Sequence, residues 1–176
     1  VWLEEHPRIR DIPGETNVLS YEPRGVCAVV SPWNFPLALT MNMTAAALAA
    51  GNTAVLKPSS AAAVTAARAV DLFRQAGLPP GVLNYLPGRG EIVGRHLVDH
   101  LDVHVVAFTG SCDHGLEILR LAANESPGQR HIKKVIADMS AKNAIIVDHD
   151  ADTDAALEGI IESAFAYAGQ KCTACS

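Results

Sequence analysis

Four short segments of this 176-residue chain carry side chains that could do chemistry. The segment Gly169-Gln170-Lys171-Cys172-Thr173-Ala174-Cys175 places two thiols three positions apart. A thiolate is both a nucleophile and a metal ligand. Cys172-x-x-Cys175 therefore reads as a thioredoxin-like redox pair or as half of a zinc site. Zinc needs a second ligand pair. Cys27 and Cys112 are not spaced as one, and none of the seven histidines forms an obvious partner, so no metal is expected. A redox pair of this kind opens a helix just after an early strand. This one follows a long helical pattern, which argues against that reading. The second segment is Ser31-Pro32-Trp33-Asn34-Phe35-Pro36, in which two prolines pin the backbone around a Trp and an Asn. It is either a rigid turn before a helix or an amide held in fixed geometry for a ligand. The third, Gly88-x-Gly90-x-x-x-Gly94, runs one residue longer than the dinucleotide fingerprint, so a plain glycine-rich turn remains open. The fourth is Phe108-Thr109-Gly110-Ser111. Its backbone N–H groups and hydroxyl would suit a pyrophosphate at a helix N-terminus, or Ser111 is an ordinary cap.

These segments have to be positioned by regular elements. Apolar runs at 26–31, 53–57, 82–86, 103–108, 134–137 and 144–147 read as strands. Helical patterns occupy 37–50, 61–76, 91–100, 113–124 and 154–168. Gly51 and Gly77 stop the first two helices. Ser59 or Ser60 caps the second, and Asp150/Asp152 mark the turn before the last. Leu78-Pro79-Pro80-Gly81 is a turn, and 125–130 is a polar loop. Strand and helix alternate through short connections, which predicts right-handed crossovers and a mostly parallel sheet. The strands are continuous apolar runs rather than alternating ones, as expected for strands covered on both faces. The expectation is a Rossmann-like, doubly wound α/β fold. Its ligand edge lies at the C-terminal ends of the strands, where the Asn34 and Ser111 segments fall.

Composition narrows the function classes. Hydrophobic residues make up 49% and charged residues 19%, which excludes disorder and supplies a core. Lys and Arg number 14 against 19 acidic residues, a net charge of −5, so a general nucleic-acid-binding role is not expected. No apolar run reaches the roughly 18–20 residues of a bilayer span, and Thr40, Asn42 and Thr44 interrupt the longest alanine-rich stretch. No membrane partner is expected. Four cysteines without regular spacing favour a reducing compartment over a disulfide scaffold.

In order, the segments Ser31–Pro36, Gly51-Asn52-Thr53-Ala54-Val55-Leu56-Lys57-Pro58-Ser59, Gly77-Leu78-Pro79-Pro80-Gly81-Val82-Leu83-Asn84, Phe108–Ser111 and Gly169-Gln170-Lys171-Cys172 resemble the aldehyde dehydrogenase superfamily. The resemblance runs from about Tyr21 to Ser176. Tyr21-Glu22-Pro23-Arg24-Gly25-Val26, Leu86-Pro87-Gly88-Arg89-Gly90 and Lys142-Asn143-Ala144-Ile145-Ile146-Val147-Asp148 look like one branch. So does Gly169 to Ser176. That branch is the 1-pyrroline-5-carboxylate dehydrogenases, which oxidise L-glutamate γ-semialdehyde to glutamate in proline degradation. They stand alone or form part of bifunctional proline utilisation proteins.

The resemblance implies roles. Cys172 matches the nucleophile, and Asn34 the side-chain donor of the oxyanion hole. Asp138 stands where the family places the water-activating Glu. Lys57 matches the residue on the adenosine ribose. Pro32, Trp33, Gly88, Gly90, Gly94, Thr109, Gly110 and Ser111 match the cofactor cradle. Thr173 matches a hydroxyl that holds the substrate carboxylate. The implied cofactor is NAD, with NADP as the alternative. Ser60 replaces a Glu that binds the ribose hydroxyls in many NAD-preferring relatives, and it lacks the charge that would repel a 2′-phosphate. The implied partner is a small aldehyde, the implied assembly a homo-oligomer, and the implied place the cytoplasm or, in a eukaryote, the mitochondrial matrix. The run Ala137-Asp138-Met139-Ser140-Ala141-Lys142 departs from the family, with a shortened carboxylate and no glycine pair. The chain also reads as a fragment: a lead-in at 1–22, a cofactor domain at 23–170 and the start of a catalytic domain at 171–176. Alone it is expected to be inactive. A non-catalytic nucleotide-binding protein is the alternative to the dehydrogenase.

Overall fold

The strand-forming runs are rich in β-branched residues, and they pair as expected for buried parallel strands. The structure is a computed structural model that describes residues 12–176; residues 1–11 of the expected lead-in lie outside the described residues. The strands are β1 Val26–Ser31, β2 Thr53–Pro58, β3 Leu83–Tyr85, β4 Val103–Thr109 and β5 Lys134–Asp138. They form one sheet in the order β3-β2-β1-β4-β5, and every pairing is parallel. From β1 the chain winds outward through β2 and β3, then returns to place β4 on the other side of β1. That reversal is the topological switch point of a doubly wound sheet.

Alternate residues of the central strands feed two cores, because successive side chains of a strand point to opposite faces. Cys27, Val29, Ala54, Leu56, Val105 and Ala107 face α1 (Ala38–Ala49) and α2 (Ala63–Gln75). Ala28, Val106 and Phe108 face α3 (Arg95–Asp99) and α4 (Cys112–Ala123). Gly51 and Gly77 end α1 and α2 with φ of +78° and +89°, where a side chain would be strained. Asn52 accepts hydrogen bonds from the Arg24 and Gly25 N–H groups at 2.8 and 3.0 Å. It ties the start of β2 to the chain entering β1.

Several expectations are corrected. Residues 144–147 form no strand: only a single bridge joins Asn143 to Cys175, and Ile146 is 93% exposed. Among the described residues no strand lies beside this run, and a β-prone run without a ladder partner stays irregular. β5 is not doubly covered, since Lys134, Ile136 and Asp138 are exposed and only the opposite side is half-buried. Residues 60–62 form a 3₁₀ turn before α2, and neither Ser59 nor any other side chain caps that start. The helix expected at 91–100 divides into a wide π turn, Gly90–Gly94, and the short α3. The last helix, α5 (Thr153–Phe165), begins on Asp152, whose carboxylate accepts from the Asp154 and Ala155 N–H groups. It stops three residues before the expected 168. Tyr167, Ala168 and Gly169 then take left-handed backbone, with φ of 59°, 53° and 69°. At the two non-glycine residues that conformation costs about 1–3 kcal/mol each.

Candidate functional site

The C-terminal ends of β1 and β4 open onto one cavity of about 920 Å³ at the switch point. Its floor is Val30, Ser31, Phe108 and Thr109, and the turns that follow supply Pro32, Trp33, Gly110 and Ser111. Lys57, Ser60, Gly90 and Gly94 line the same cavity. Nine of the ten residues expected in a cofactor cradle thus converge there. The exception is Gly88. It is not among the lining residues, and a Cβ there would lie 2.4 Å from Val93 Cγ2, so packing against the π turn also calls for glycine at this position.

The glycines of the lining differ in kind. A Cβ on Gly90 would meet nothing within 4 Å and would project into open space. A Cβ on Gly110 would lie 2.6 Å from the Phe108 ring, so only glycine lets the chain turn back over that ring into α4. The Gly110 N–H donates to the Asp138 carbonyl at 3.1 Å, which fixes the turn against the end of β5.

Lys57 is the buried cation of the cavity, only 5% exposed. Its Nζ donates to the Pro58 carbonyl at 3.0 Å. Burial pushes the ammonium below its usual range, and the nearby Glu91 carboxylate opposes that shift. Two ammonium donors remain for a ligand hydroxyl. Ser111 stands at the N-cap of α4 without making a capping bond. Its Oγ lies 2.8 Å from His114 Nδ1 instead. The first N–H groups of α4 have no intrahelical acceptor, which favours an anion at this end. A largely apolar hollow that holds both a buried ammonium and free helix N–H groups fits a dinucleotide.

The segment that bears Cys172 approaches the same edge. Asn34 Nδ2 donates to the Gln170 carbonyl at 3.0 Å, joining two residues 136 positions apart. The Trp33 and Tyr167 rings lie 6.4 Å apart, tilted by 52°. Cys172 is half-buried, and its carbonyl accepts from Asn143 Nδ2 at 2.6 Å. Asn143 also donates to the Ala174 carbonyl at 2.9 Å. Thr173 is exposed between these two anchors. Asp138 pairs with Thr109 in the sheet register and leaves its side chain exposed at the same strand end. Cys175 turns away instead, with its Sγ 3.7 Å from the Ile160 carbonyl of α5.

Sequence reasoning missed Asn143 as an anchor, along with Glu91, Arg95, His114 and Glu117 of the lining. Arg95 and Glu117 form an ion pair across α3 and α4. Single charged residues on helices carry no motif; only the folding of α3 against α4 brings them together.

Comparisons with known proteins bear on this geometry. The profile of the Aldehyde dehydrogenase family matches residues 3–176. A 1-pyrroline-5-carboxylate dehydrogenase of Geobacillus kaustophilus is 52% identical over 99% of this chain, which spans 34% of that relative. One from Bacillus cereus is 50% identical with the same coverage. Among solved structures, a 1-pyrroline-5-carboxylate dehydrogenase from Thermus with bound NAD superposes with a TM-score of 0.89 at 44% identity. That match covers 97% of this chain and 33% of the other. Proline utilization A from Bdellovibrio bacteriovorus superposes with a TM-score of 0.92 at 47% identity, covering 99% of this chain and 18% of that one. The chain therefore spans about a third of the length of the curated relatives it matches.

Proposed function

This chain belongs to the aldehyde dehydrogenase family, and from that premise we propose that the whole protein oxidises L-glutamate γ-semialdehyde to glutamate with NAD. The observation that carries the reading is the Asn34–Gln170 hydrogen bond beside the switch-point cavity. It tethers a fixed amide donor to the segment that bears Cys172, next to a hollow suited to a dinucleotide. The names of the relatives support the substrate.

In this mechanism the Cys172 thiolate attacks the aldehyde carbon. The carbonyl oxygen becomes negative only as that bond forms, so donors aimed at it favour the transition state over the bound substrate. One N–H of the Asn34 amide is held by Gln170; the other is free for that oxygen, alongside the Cys172 backbone N–H. Lys57 holds the ribose hydroxyls, and Ser111 with the start of α4 holds the pyrophosphate. When bound, NAD supplies the hydride acceptor. Loss of hydride leaves an acyl group on Cys172 as a thioester. Asp138 takes a proton from water, which attacks the thioester and releases the acid and the thiolate. Thr173 donates to the substrate carboxylate. Ser60 carries no charge against a 2′-phosphate, so NADP is the second cofactor to measure.

The test is formation of reduced nicotinamide by the full-length protein with 1-pyrroline-5-carboxylate and NAD. Turnover is expected, and Cys172→Ser should abolish it while nucleotide binding persists. Turnover unchanged in Cys172→Ser would overturn the mechanism. A second reading, a nucleotide-binding protein without turnover, is favoured by the shortened carboxylate of Asp138. Nucleotide binding without any reduced nicotinamide would select it.

A further inference from the structure

His114 belongs to no motif, yet it sits at the cavity mouth on the first turn of α4, with Nδ1 2.8 Å from Ser111 Oγ. The charges around it are balanced. Arg95 on α3 pairs with Glu117, one turn further along α4. Lys57 on β2 lies near Glu91 of the π turn, which also pairs with Arg89; a backbone N–H bond holds the Glu91 carboxyl low first, then Arg89, with His114 contributing least. Asp113 precedes His114 on the same turn. Lys57 and Arg95 against Glu91 and Glu117 sum to zero across the lining, so a protonated imidazole adds a net positive charge beside the start of α4, where a dianionic pyrophosphate would lie. The contact with Ser111 adds a second effect. A protonated imidazole donates from Nδ1 to Ser111 Oγ, leaving the Ser111 O–H free to donate outward. In the neutral form with Nδ1 bare, that O–H turns back to the ring, and the pyrophosphate loses a donor and faces a lone pair.

The geometry points to His114 as a proton-controlled clamp on the cofactor pyrophosphate, working through Ser111. This rests on the dinucleotide reading of the cavity. The sign follows from linkage: bound pyrophosphate favours the protonated ring, so affinity falls as the ring loses its proton.

The experiment is calorimetric titration of the full-length protein with ADP-ribose and with adenosine, at fixed ionic strength, from about pH 5.5 to about pH 8.5, the range in which an imidazole changes charge. ADP-ribose keeps both pyrophosphate charges throughout, and adenosine has none. Wild-type affinity for ADP-ribose is expected to fall about tenfold across the range, equivalent to one unit of linked protonation. Adenosine binding should stay level. His114→Gln should flatten the ADP-ribose profile near the wild-type high-pH value. His114→Lys should flatten it near the low-pH value. A wild-type slope that persists in His114→Gln, or an equal slope with adenosine, would overturn the clamp and leave the cofactor reading standing. Absence of ADP-ribose binding at every pH would overturn both.

Discussion

The cavity at the β1/β4 switch point and the segment from Met139 to Ser176 are two halves of one candidate site, built in opposite ways. The cavity is floored by strands whose other residues form the two cores, so its geometry follows from packing. The segment that bears the proposed nucleophile rests on few buried groups. α5 contains no buried residue and exposes Leu157, Ile161 and Phe165. What holds Cys172 near the cavity is a set of polar ties through Asn34, Asn143 and Lys171, whose Nζ donates to the Glu162 carbonyl at 3.0 Å. Cofactor chemistry needs a rigid cradle, and close packing supplies it. A nucleophile presented by hydrogen-bonded turns is placed with less buried area and adjusts more readily.

That contrast can be broken first at the hydrolytic step. In the proposed mechanism Asp138 is the water-activating carboxylate, one methylene shorter than the Glu that the resemblance implies, and a misplacement of about 1 Å can cost on the order of 100-fold. The whole protein should show a burst of reduced nicotinamide near the enzyme concentration, then a slow steady rate. Asp138→Glu should raise the steady rate by up to about 100-fold and leave the burst alone. Stopped-flow absorbance checks this. An unchanged steady rate would remove Asp138 as the limiting base. Absence of a burst would point to Ser140 and Ala141 crowding the nicotinamide.

Thiol reactivity sharpens the same division. Cys27 lies in the first core, where burial pushes its thiol up to about 11. At about pH 8 that leaves roughly one thiolate in a thousand. Cys172 is half-buried in the polar segment. Brief alkylation read by mass spectrometry should label Cys172 at least about 100-fold faster than Cys27. Raising the pH toward the elevated Cys27 value should narrow the ratio.

Stability should divide the chain in the same way. Leu56 is 1% exposed on β2, and Leu157 is 54% exposed on α5. Leu56→Ala should lower the unfolding free energy by about 3 kcal/mol, whereas Leu157→Ala should stay within about 0.5 kcal/mol. Urea melts of the 176-residue chain would show this. Equal losses would mean that α5 is as integral as the sheet.

The smallest test lies on α1, whose two fully buried residues are Thr40 and Thr44. Thr40 Oγ1 donates to Ser31 Oγ at 2.9 Å, while the buried Thr44 Oγ1 has no partner among the described residues. Thr40→Val should cost about 1 kcal/mol by stranding Ser31, and Thr44→Val should be neutral or stabilising by up to about 1 kcal/mol. The same melts decide it.

Much of the cavity was legible because its parts are local. A strand, a glycine-rich turn and a helix start follow one another in the chain, and the apolar runs of β1, β2 and β4 left little choice but a doubly covered sheet. Helix stops at Gly51 and Gly77 were equally local, since only glycine takes that backbone without strain. The misses share a cause. Residues 144–147 have strand propensity, but a strand needs a neighbour that no short window reveals. The close approach of Gly88 to the Val93 side chain, five residues on, was likewise hidden in the spacing.

Sequence alone therefore determined the alternation of elements and the parallel sheet, because these depend on residue type and short spacing. Tertiary structure alone decided that the Asn34 amide reaches Gln170, that Asn143 holds the Cys172 carbonyl, and that Arg95, Glu117 and His114 share a mouth with Lys57. Those contacts join residues far apart in the chain, and they exist only after the β4 crossover brings both ends of the sheet's winding to one edge.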